Sequence, residues 1–564
     1  MFSEKTIDKA KECGEEWRRE YERYYKGRKL SLFTDSGIEI KPVYIPGDVE
    51  ETHAEQLTMP GVYPYTRGTY PLMYQFSMWT TQQGLGYGTP ERARERYDLL
   101  RRQGLDAHEG MVPQYFIAPD AVVQEGYDPD NPAAKGQVGL VGSNWSNTRD
   151  MEVLFHDLPL DKTGVVYATY DTSLPTLAMY QVTAENMGFP AHKLRGHTVA
   201  NFYRQTCWDL RSFLPENSLK VASEYIKYCT QNIPMWSPIS FQGYGFQESG
   251  ATPVQELAFM VATAIAFTEA TLQLGIHADE FVNRYGFHFA IDDDFFEAIA
   301  KMRAFRRMWA RITKERWGCR KPQSYKAIIQ AETAGTSLTA QQPLNNIVRA
   351  GIQTLAAALG GATSIWTTHY DEALSIPTEE SATLCLRTQQ IIYEETNVAK
   401  VVDPLGGSYY LEWLTDRVEE EATKLIQRIE EMGYVNCWKD GWIRRELERS
   451  AFEWRQKIES GEKIKVGVNK YQIKEEMEIN LHKPDLKAEA IMVERVKKFR
   501  KERDSKKTEA ALAELKKVAM DVRDNWPKAN AELMPYLVEA VRANATLEES
   551  MGVLKETFGW SYIY

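Results

Sequence analysis

What most constrains the fold of this chain is a rhythm in its sequence. Seven short runs rich in β-branched and aromatic residues, at 114–118, 164–170, 194–199, 239–246, 285–291, 325–331 and 363–368, alternate with stretches that read as helix. Most spacings are roughly 40 residues, enough for a strand, a returning helix and two loops, so the strands are expected to be parallel. The best of these helices is predicted over 253–274, where Val254, Leu257, Ala258, Val261, Ala262 and Ile265 share a face. Thr252 is placed to cap it and Pro253 suits its first turn. With an eighth strand hidden near the aromatic stretch 59–90, the pattern predicts a (β/α)8 barrel; an open doubly wound sheet is the alternative. The expected organisation is a helical N-terminal arm over 1–50, the barrel over 51–400 and a helical region over 401–564.

Residues 59–90 break the rhythm. The stretch is dense in Tyr, Gly and Pro, carries Trp79 and follows neither helical nor strand periodicity. Flexible linkers are poor in large aromatics, and a segment that failed to bury Tyr63, Tyr65, Tyr70, Tyr74, Phe76 and Trp79 would gain nothing to offset the entropy of ordering them. An ordered, ligand-lining loop is therefore expected. The net charge of −11 over 564 residues, with dispersed basic residues, argues against nucleic acid. The six cysteines (Cys13, Cys207, Cys229, Cys319, Cys385, Cys437) lie far apart, which disfavours a zinc site or a disulfide framework. No long apolar run or signal-like start occurs, so a cytoplasmic protein without membrane contact is expected.

In a barrel of this kind, ligand chemistry gathers where the strands end, here Asp120, Asp171, Val199, Gly245 to Glu248, Asp292, Glu332 and Thr368 to Glu372. Asp292, Asp293 and Asp294 read as helix caps in preference to metal ligands. His288, alone on an apolar strand, is given no role. The helices beyond 487 read as a solvated pair. Phosphate-loop, dinucleotide, serine-hydrolase and zinc-protease motifs are absent.

Several longer strings carry a resemblance. They are YPYTRGTYPLMY (63–74), WTTQQGLGYGT (79–89), GYDPDNP (126–132), GYGFQESGAT (243–252), SLTAQQPLNNIVRA (337–350), THYDEALSIPT (368–378), RTQQIIYEE (387–395), DPLGGSYYLE (403–412) and GVNKY (467–471). In this order the chain resembles the methylmalonyl-CoA mutase family, whose members rearrange acyl-CoA carbon skeletons by a radical 1,2-shift with adenosylcobalamin. The resemblance implies a barrel threaded by the CoA tail, with cobalamin on its C-terminal mouth. The family's cobalamin-binding DxHxxG motif is absent from this sequence. A large subunit that needs a separate small cobalamin-binding subunit, as a heterotetramer or dimer, is therefore expected.

Carried over residue by residue, Glu248 and Glu372 match cofactor-side carboxylates, and Tyr70, Met73, Thr80 and Arg284 match substrate or CoA positions. Other positions depart. Gly84 stands in place of a tyrosine that wedges against the adenosyl group, and Asp209 in place of the arginine that pairs the substrate carboxylate, with Arg211 two residues away. Gly245 replaces a histidine at the thioester carbonyl; Val199 and Glu332 each replace a glutamine. Along the CoA path Leu72, Ser77, Gln82, Val166, Ala168 and Met235 are altered, and Phe116 adds to an apolar pocket. A carboxylate where an arginine held a carboxylate reverses an interaction worth about 3 kcal/mol when buried, which disfavours methylmalonyl-CoA itself. The missing tyrosine ring is expected to leave room for a bulkier or branched acyl group. The competing expectations are a radical mutase with a non-CoA substrate and a catalytically inert scaffold subunit; a metal-dependent lyase is more remote.

Overall fold

The computed structural model describes residues 3–25, 32–49, 57–84, 86–106, 112–199, 202, 211–474 and 479–562. Nine short strands occur among them: β1 (Thr80–Gln82), β2 (Gln114–Ile117), β3 (Gly164–Tyr167), β4 (Arg195–Thr198), β5 (Met235–Ser237), β6 (Ser240–Gln242), β7 (Gly286–Ile291), β8 (Ile328–Thr333) and β9 (Ser364–Trp366). Every pairing between them is parallel, in two arcs ordered β2-β3-β4-β5 and β6-β7-β8-β9-β1. β5 and β6 are two halves of one extended stretch. Pro238 between them has no N–H to give a ladder, so the stretch pairs with β4 before it and with β7 after it. At the other join the Gln82 amide donates to Gln114 Oε1 at 3.3 Å, tying β1 to β2 by side chains. The circuit is thus that of a (β/α)8 barrel, its fifth strand interrupted and its first two held side chain to side chain.

Helices follow each strand position in turn: Pro90–Arg102, Thr148–Phe155, Ser173–Asn186, Pro215–Asn232, Pro253–Leu272, Phe295–Arg311, Asn345–Leu359 and Glu379–Glu395. The expected strands are present, with two adjustments. The run 239–246 leaves the sheet after Gln242 and turns into the short helix Gly243–Glu248, and the run at 325–331 begins as a 3-10 turn, its strand starting at Ile328. Helix Pro253–Leu272 is capped as expected, by a Thr252–Gln255 capping box. Nearly all of it is buried, so the face marked in the sequence is one side of a helix enclosed all round, between the barrel and helix Tyr409–Met432.

The aromatic stretch is held on the N-terminal face of the barrel by the buried guanidinium of Arg306, which donates to the carbonyls of Tyr65 (3.0 Å), Thr66 (2.9 Å) and Gly360 (2.7 Å). Tyr74 Oη donates to Ala362 O at 2.6 Å, Thr69 Oγ1 to Ala327 O at 2.9 Å and Trp79 Nε1 to Gln389 at 2.9 Å. Tyr65, Tyr74 and Trp79 are buried, whereas Tyr70 and Phe76 stand 45% and 77% exposed, so burial orders only part of the set.

Beyond residue 487 the structure corrects the expectation of a solvated helical pair. Four helices, Ala488–Glu502, Ser505–Asn525, Leu533–Arg542 and Leu547–Phe558, bury Met492, Val496, Leu515, Val522, Leu537 and Leu554. The last three dock on helices Ser173–Asn186 and Pro215–Asn232, and the first packs Met492 against Val122, Ala134 and Val138. The GYDPDNP string is part of the dock: Asp128 is buried against Arg500 at 2.5 Å and accepts from Glu548 N at 3.2 Å. No described helix is long and apolar enough to cross a membrane.

Candidate functional site

Strand residues alternate between the helical shell and the barrel interior. Tyr115, Val165, Trp236, Phe241, Phe287, Ile329 and Ile365 belong to the apolar shell. Their neighbours along each strand form an interior richer in polar groups than the branched aliphatics that usually fill such barrels.

At the N-terminal mouth, Arg195 opens β4 and Arg284 precedes β7. Arg284 is pushed below the ordinary arginine range by partial burial and by the charge of Arg195. No carboxylate contact is recorded for either among the described residues. Lys326, just before β8, places its ammonium 5.1 Å over the Tyr70 ring. This face therefore presents like charges that an anion would relieve. Met73 lies here in a left-handed conformation (φ 39°), its sulfur 3.4 Å from Tyr70 N, and Ser77 caps its own turn through Met78 O. Thr80 N bonds Thr363 O at 3.0 Å, which fixes where β1 starts.

Midway along the axis, Ser240 Oγ donates to Gln330 Oε1 at 2.6 Å and the Gln330 amide meets His197 Nε2 at 2.9 Å. These ties join β6, β8 and β4 across the interior, so this layer is spanned by side chains where the resemblance implies an open axis. Burial pushes the His197 ring down to about 3, with the nearby His288 adding to the shift, so the belt consists of neutral groups.

Toward the C-terminal mouth the interior has two unlike walls. One is apolar: Phe116, Val166 and Val199 are buried, and Phe116 meets Trp366 edge to face at 4.9 Å. The other is polar. His288 stacks on Tyr244 (5.2 Å, 12°), its Nδ1 lies 3.1 Å from Gln242 Oε1 and its Nε2 lies 3.0 Å from Glu332 Oε2. Burial lowers the His288 pKa to about 4; burial and the charge of Glu372 raise Glu332 well above the carboxylate range, against a hydrogen bond from Tyr244. Both shifts favour the neutral forms; Glu332 is hydrogen-bonded by Tyr244, while His288 Nε2 lies close to its carboxyl without a hydrogen bond to it. His288 thus belongs to the interior network, contrary to the sequence expectation that set it aside.

Two further carboxylates stand on the rim. Glu248, at the end of its short helix, accepts from Thr336 N at 3.0 Å and Thr336 Oγ1 at 3.1 Å. Burial, together with Glu332 and Asp292, raises it to about 8. A cleft of about 340 Å³ opens beside it, walled by Gly250, Thr252, Ala451, Trp454 and Lys463. Glu372 is paired with His369 Nε2, whose Nδ1 lies 2.7 Å from Asp371. Burial opposes charge on His369, but Glu372 and Asp371 outweigh it and raise the ring to about 9.

The structure brings Glu248, Glu332, Glu372, Gly84, Gly245, Val199 and Phe116 to the C-terminal half, and Tyr70, Met73, Ser77 and Arg284 to the opposite face. Gln82 lies on the strand between. Asp209 lies outside the described residues. Arg211 is engaged by Glu125 at 3.1 Å and by Tyr127 Oη at 2.7 Å. Asp294 caps helix Phe295–Arg311, as expected, and Asp293 pairs with Lys465 at 2.5 Å. Around Gly84 the expectation of free space is overturned: a Cβ there would lie 2.4 Å from Trp366 Cη2, so the indole already occupies that volume. Sequence reasoning included His369 only within the span Thr368 to Glu372 and missed Arg195, His197, Gln330 and Trp366. Arg195 and His197 sit two residues apart on β4, and Gln330 sits two residues before Glu332 on β8, a period-2 signal that could have marked them as inward-facing.

Comparison with known proteins places the chain in a family. The family model for methylmalonyl-CoA mutase matches residues 33–560. The large subunit of 2-hydroxyisobutanoyl-CoA mutase from Aquincola tertiaricarbonis is 36% identical over 535 residues, covering 94% of this chain and 93% of that one. The mitochondrial methylmalonyl-CoA mutase of Homo sapiens is 35% identical over 569 residues, covering 99% of this chain and 73% of its own length. That of Rhizobium meliloti is 36% identical over 535 residues, covering 94% and 73%. With a parallel barrel, a polar axis and carboxylates on its C-terminal rim, this chain belongs to the methylmalonyl-CoA mutase family, the adenosylcobalamin-dependent acyl-CoA mutases.

Proposed function

We propose that the chain is the large subunit of a mutase that isomerises a branched acyl-CoA without a free carboxylate on the acyl group, working with a small cobalamin-binding subunit. The carrying observation is the inner wall of the C-terminal half. Glu332 is buried there beside neutral His288, and the inward strand positions described in that layer hold no Arg or Lys. A substrate carboxylate would face burial without a counter-charge, at a cost of several kcal/mol. A hydroxyl or thioester oxygen would instead meet neutral donors, and a branched carbon skeleton would meet Phe116, Val166 and Val199. The near full-length match to a large subunit acting on 2-hydroxyisobutanoyl-CoA supports both the branched substrate and the two-subunit arrangement.

The donor set on the rim fits the family's cofactor. Glu248 and Glu372 are carboxylates held by Thr336 and His369, and Gly335 keeps the approach to Glu248 clear, since a Cβ there would lie 3.1 Å from its carboxylate. They would accept hydrogen bonds from ribose hydroxyls. Held there, adenosylcobalamin would supply the radical chemistry of a weak cobalt–carbon bond. The chain's own residues bind, orient and shield: Arg195, Arg284 and Lys326 offer charge to CoA phosphates, the His197–Gln330 belt yields to the pantetheine arm, and Glu332 holds a proton beside the acyl group. These cations favour a CoA thioester over a free acid.

Reconstitution with adenosylcobalamin and a candidate small subunit tests the reading. Turnover of a branched, carboxylate-free acyl-CoA, with methylmalonyl-CoA slower by about 100-fold or more, is expected from the cost of burying an unpaired charge. Equal rates would overturn it.

A further inference from the structure

Trp366 ends β9 at a register that pairs it with Glu332 on one side and Gln82 on the other. Its neighbour Ile365 belongs to the outer shell, so the indole faces the interior. From there it reaches over the end of β1, past Gly84, to the edge of Phe116 on β2. The reach depends on glycine at 84: a Cβ would lie 2.4 Å from Cη2 and 2.6 Å from Cζ2, well inside contact distance. The indole is therefore seated in a slot that one missing methyl group creates, between Phe116 of the apolar wall and Glu332 on the neighbouring strand.

We propose that Trp366 is the residue that sets acyl size in this enzyme, with Gly84 acting through it as a positioning residue. This rests on the acyl-CoA reading above and deepens it: the substrate's branched carbons lie against an indole face, and the pocket is shorter than a glycine at 84 would leave it. The acyl group is thus compact and branched, with room for extra methyl groups only where the indole is cut back. A change of one or two methylenes in an apolar pocket alters discrimination by roughly 10- to 200-fold, which sets the scale of the expected effect.

The test is calorimetric titration of the full chain with CoA and with acyl-CoAs of increasing branching and length, for wild type, Trp366→Leu, Trp366→Phe and Gly84→Ala. Trp366→Leu should shift the affinity ratio of long to compact acyl groups by about 10-fold or more while leaving free CoA unchanged. Trp366→Phe should give a smaller shift in the same direction. Gly84→Ala should weaken every acyl-CoA by forcing the ring off its seat, and adding Trp366→Leu to it should restore binding with the shifted ratio. If thioesters bind and both Trp366 variants keep the wild-type ratio, the role of the indole is overturned and the functional reading stands. If wild type binds neither CoA nor any thioester, the functional reading falls and this inference with it.

Discussion

Glu332 and His369 are both shifted upward by the company each keeps, and their neighbours fix how they respond to pH. Glu332 holds its proton because it is buried beside the charge of Glu372. Raising the pH through its elevated pKa removes the donor, so kcat/KM should fall on the alkaline side. Glu332→Gln keeps a donor that does not ionise; its profile should lose that alkaline limb with activity kept within about 10-fold, measured on the reconstituted enzyme. His369 moves the other way from an ordinary histidine. Its folded pKa of about 9 lies above the unfolded 6.5, so its stabilisation is fully present below 6.5 and is lost as pH rises through 9. That interval corresponds to about 3 kcal/mol. The melting temperature of wild type should therefore fall more steeply between pH 6.5 and 9 than that of His369→Ala, and parallel slopes would refute the pairing. None of this was legible in the sequence: Glu332 and Glu372 were singled out as carboxylates at strand ends, but their partners come from chain 44 residues before the one and three residues before the other, and only the fold selects them.

At the scale of elements, the aromatic loop shows where reading by composition succeeds and stops. Its order was inferable because Tyr65, Tyr74 and Trp79 repay their own ordering by burial. Its anchor was not, since Arg306 lies some 240 residues downstream in a helix and acts on backbone carbonyls, which no side-chain pattern records. Arg306→Ala should remove the guanidinium donor from the carbonyls of Thr66 and Gly360, leave Tyr65 O with the Gly68 amide alone, and cost about 3–5 kcal/mol, read as a lower urea midpoint at unchanged slope. The strands were legible through their period, and the interruption at Pro238 was visible as a proline, but the run 235–237 was missed because three residues are too few to show alternation. The helices after 487 were misjudged because their charged faces outnumber their buried ones.

For the whole molecule, function divides along the barrel axis: cations on the face where strands begin, carboxylates where they end, neutral hydrogen-bonding groups between. Arg195→Ala and Arg284→Ala should each weaken CoA-thioester binding by about 10- to 100-fold and reduce its dependence on ionic strength. Neither should lower the melting temperature, because each removes one of two mutually repelling charges. Lost affinity with lost stability would point to a structural role instead. The barrel class, the family and the rim carboxylates could all be taken from the sequence. The closed middle layer and the filled slot at Gly84 could not, because each is a relation between side chains from strands far apart in the chain.

The wall of this cylinder carries a consequence of its own. Its staves form two sets, and at Pro238 and between Gln82 and Gln114 the main chain runs past without lacing one set to the other. Parting the staves along those lines breaks no rung of any ladder, so amide protons bordering the two joins should trade with deuterium well before those inside either arc. The vessel is built to yield along its sides while its ribs stay whole.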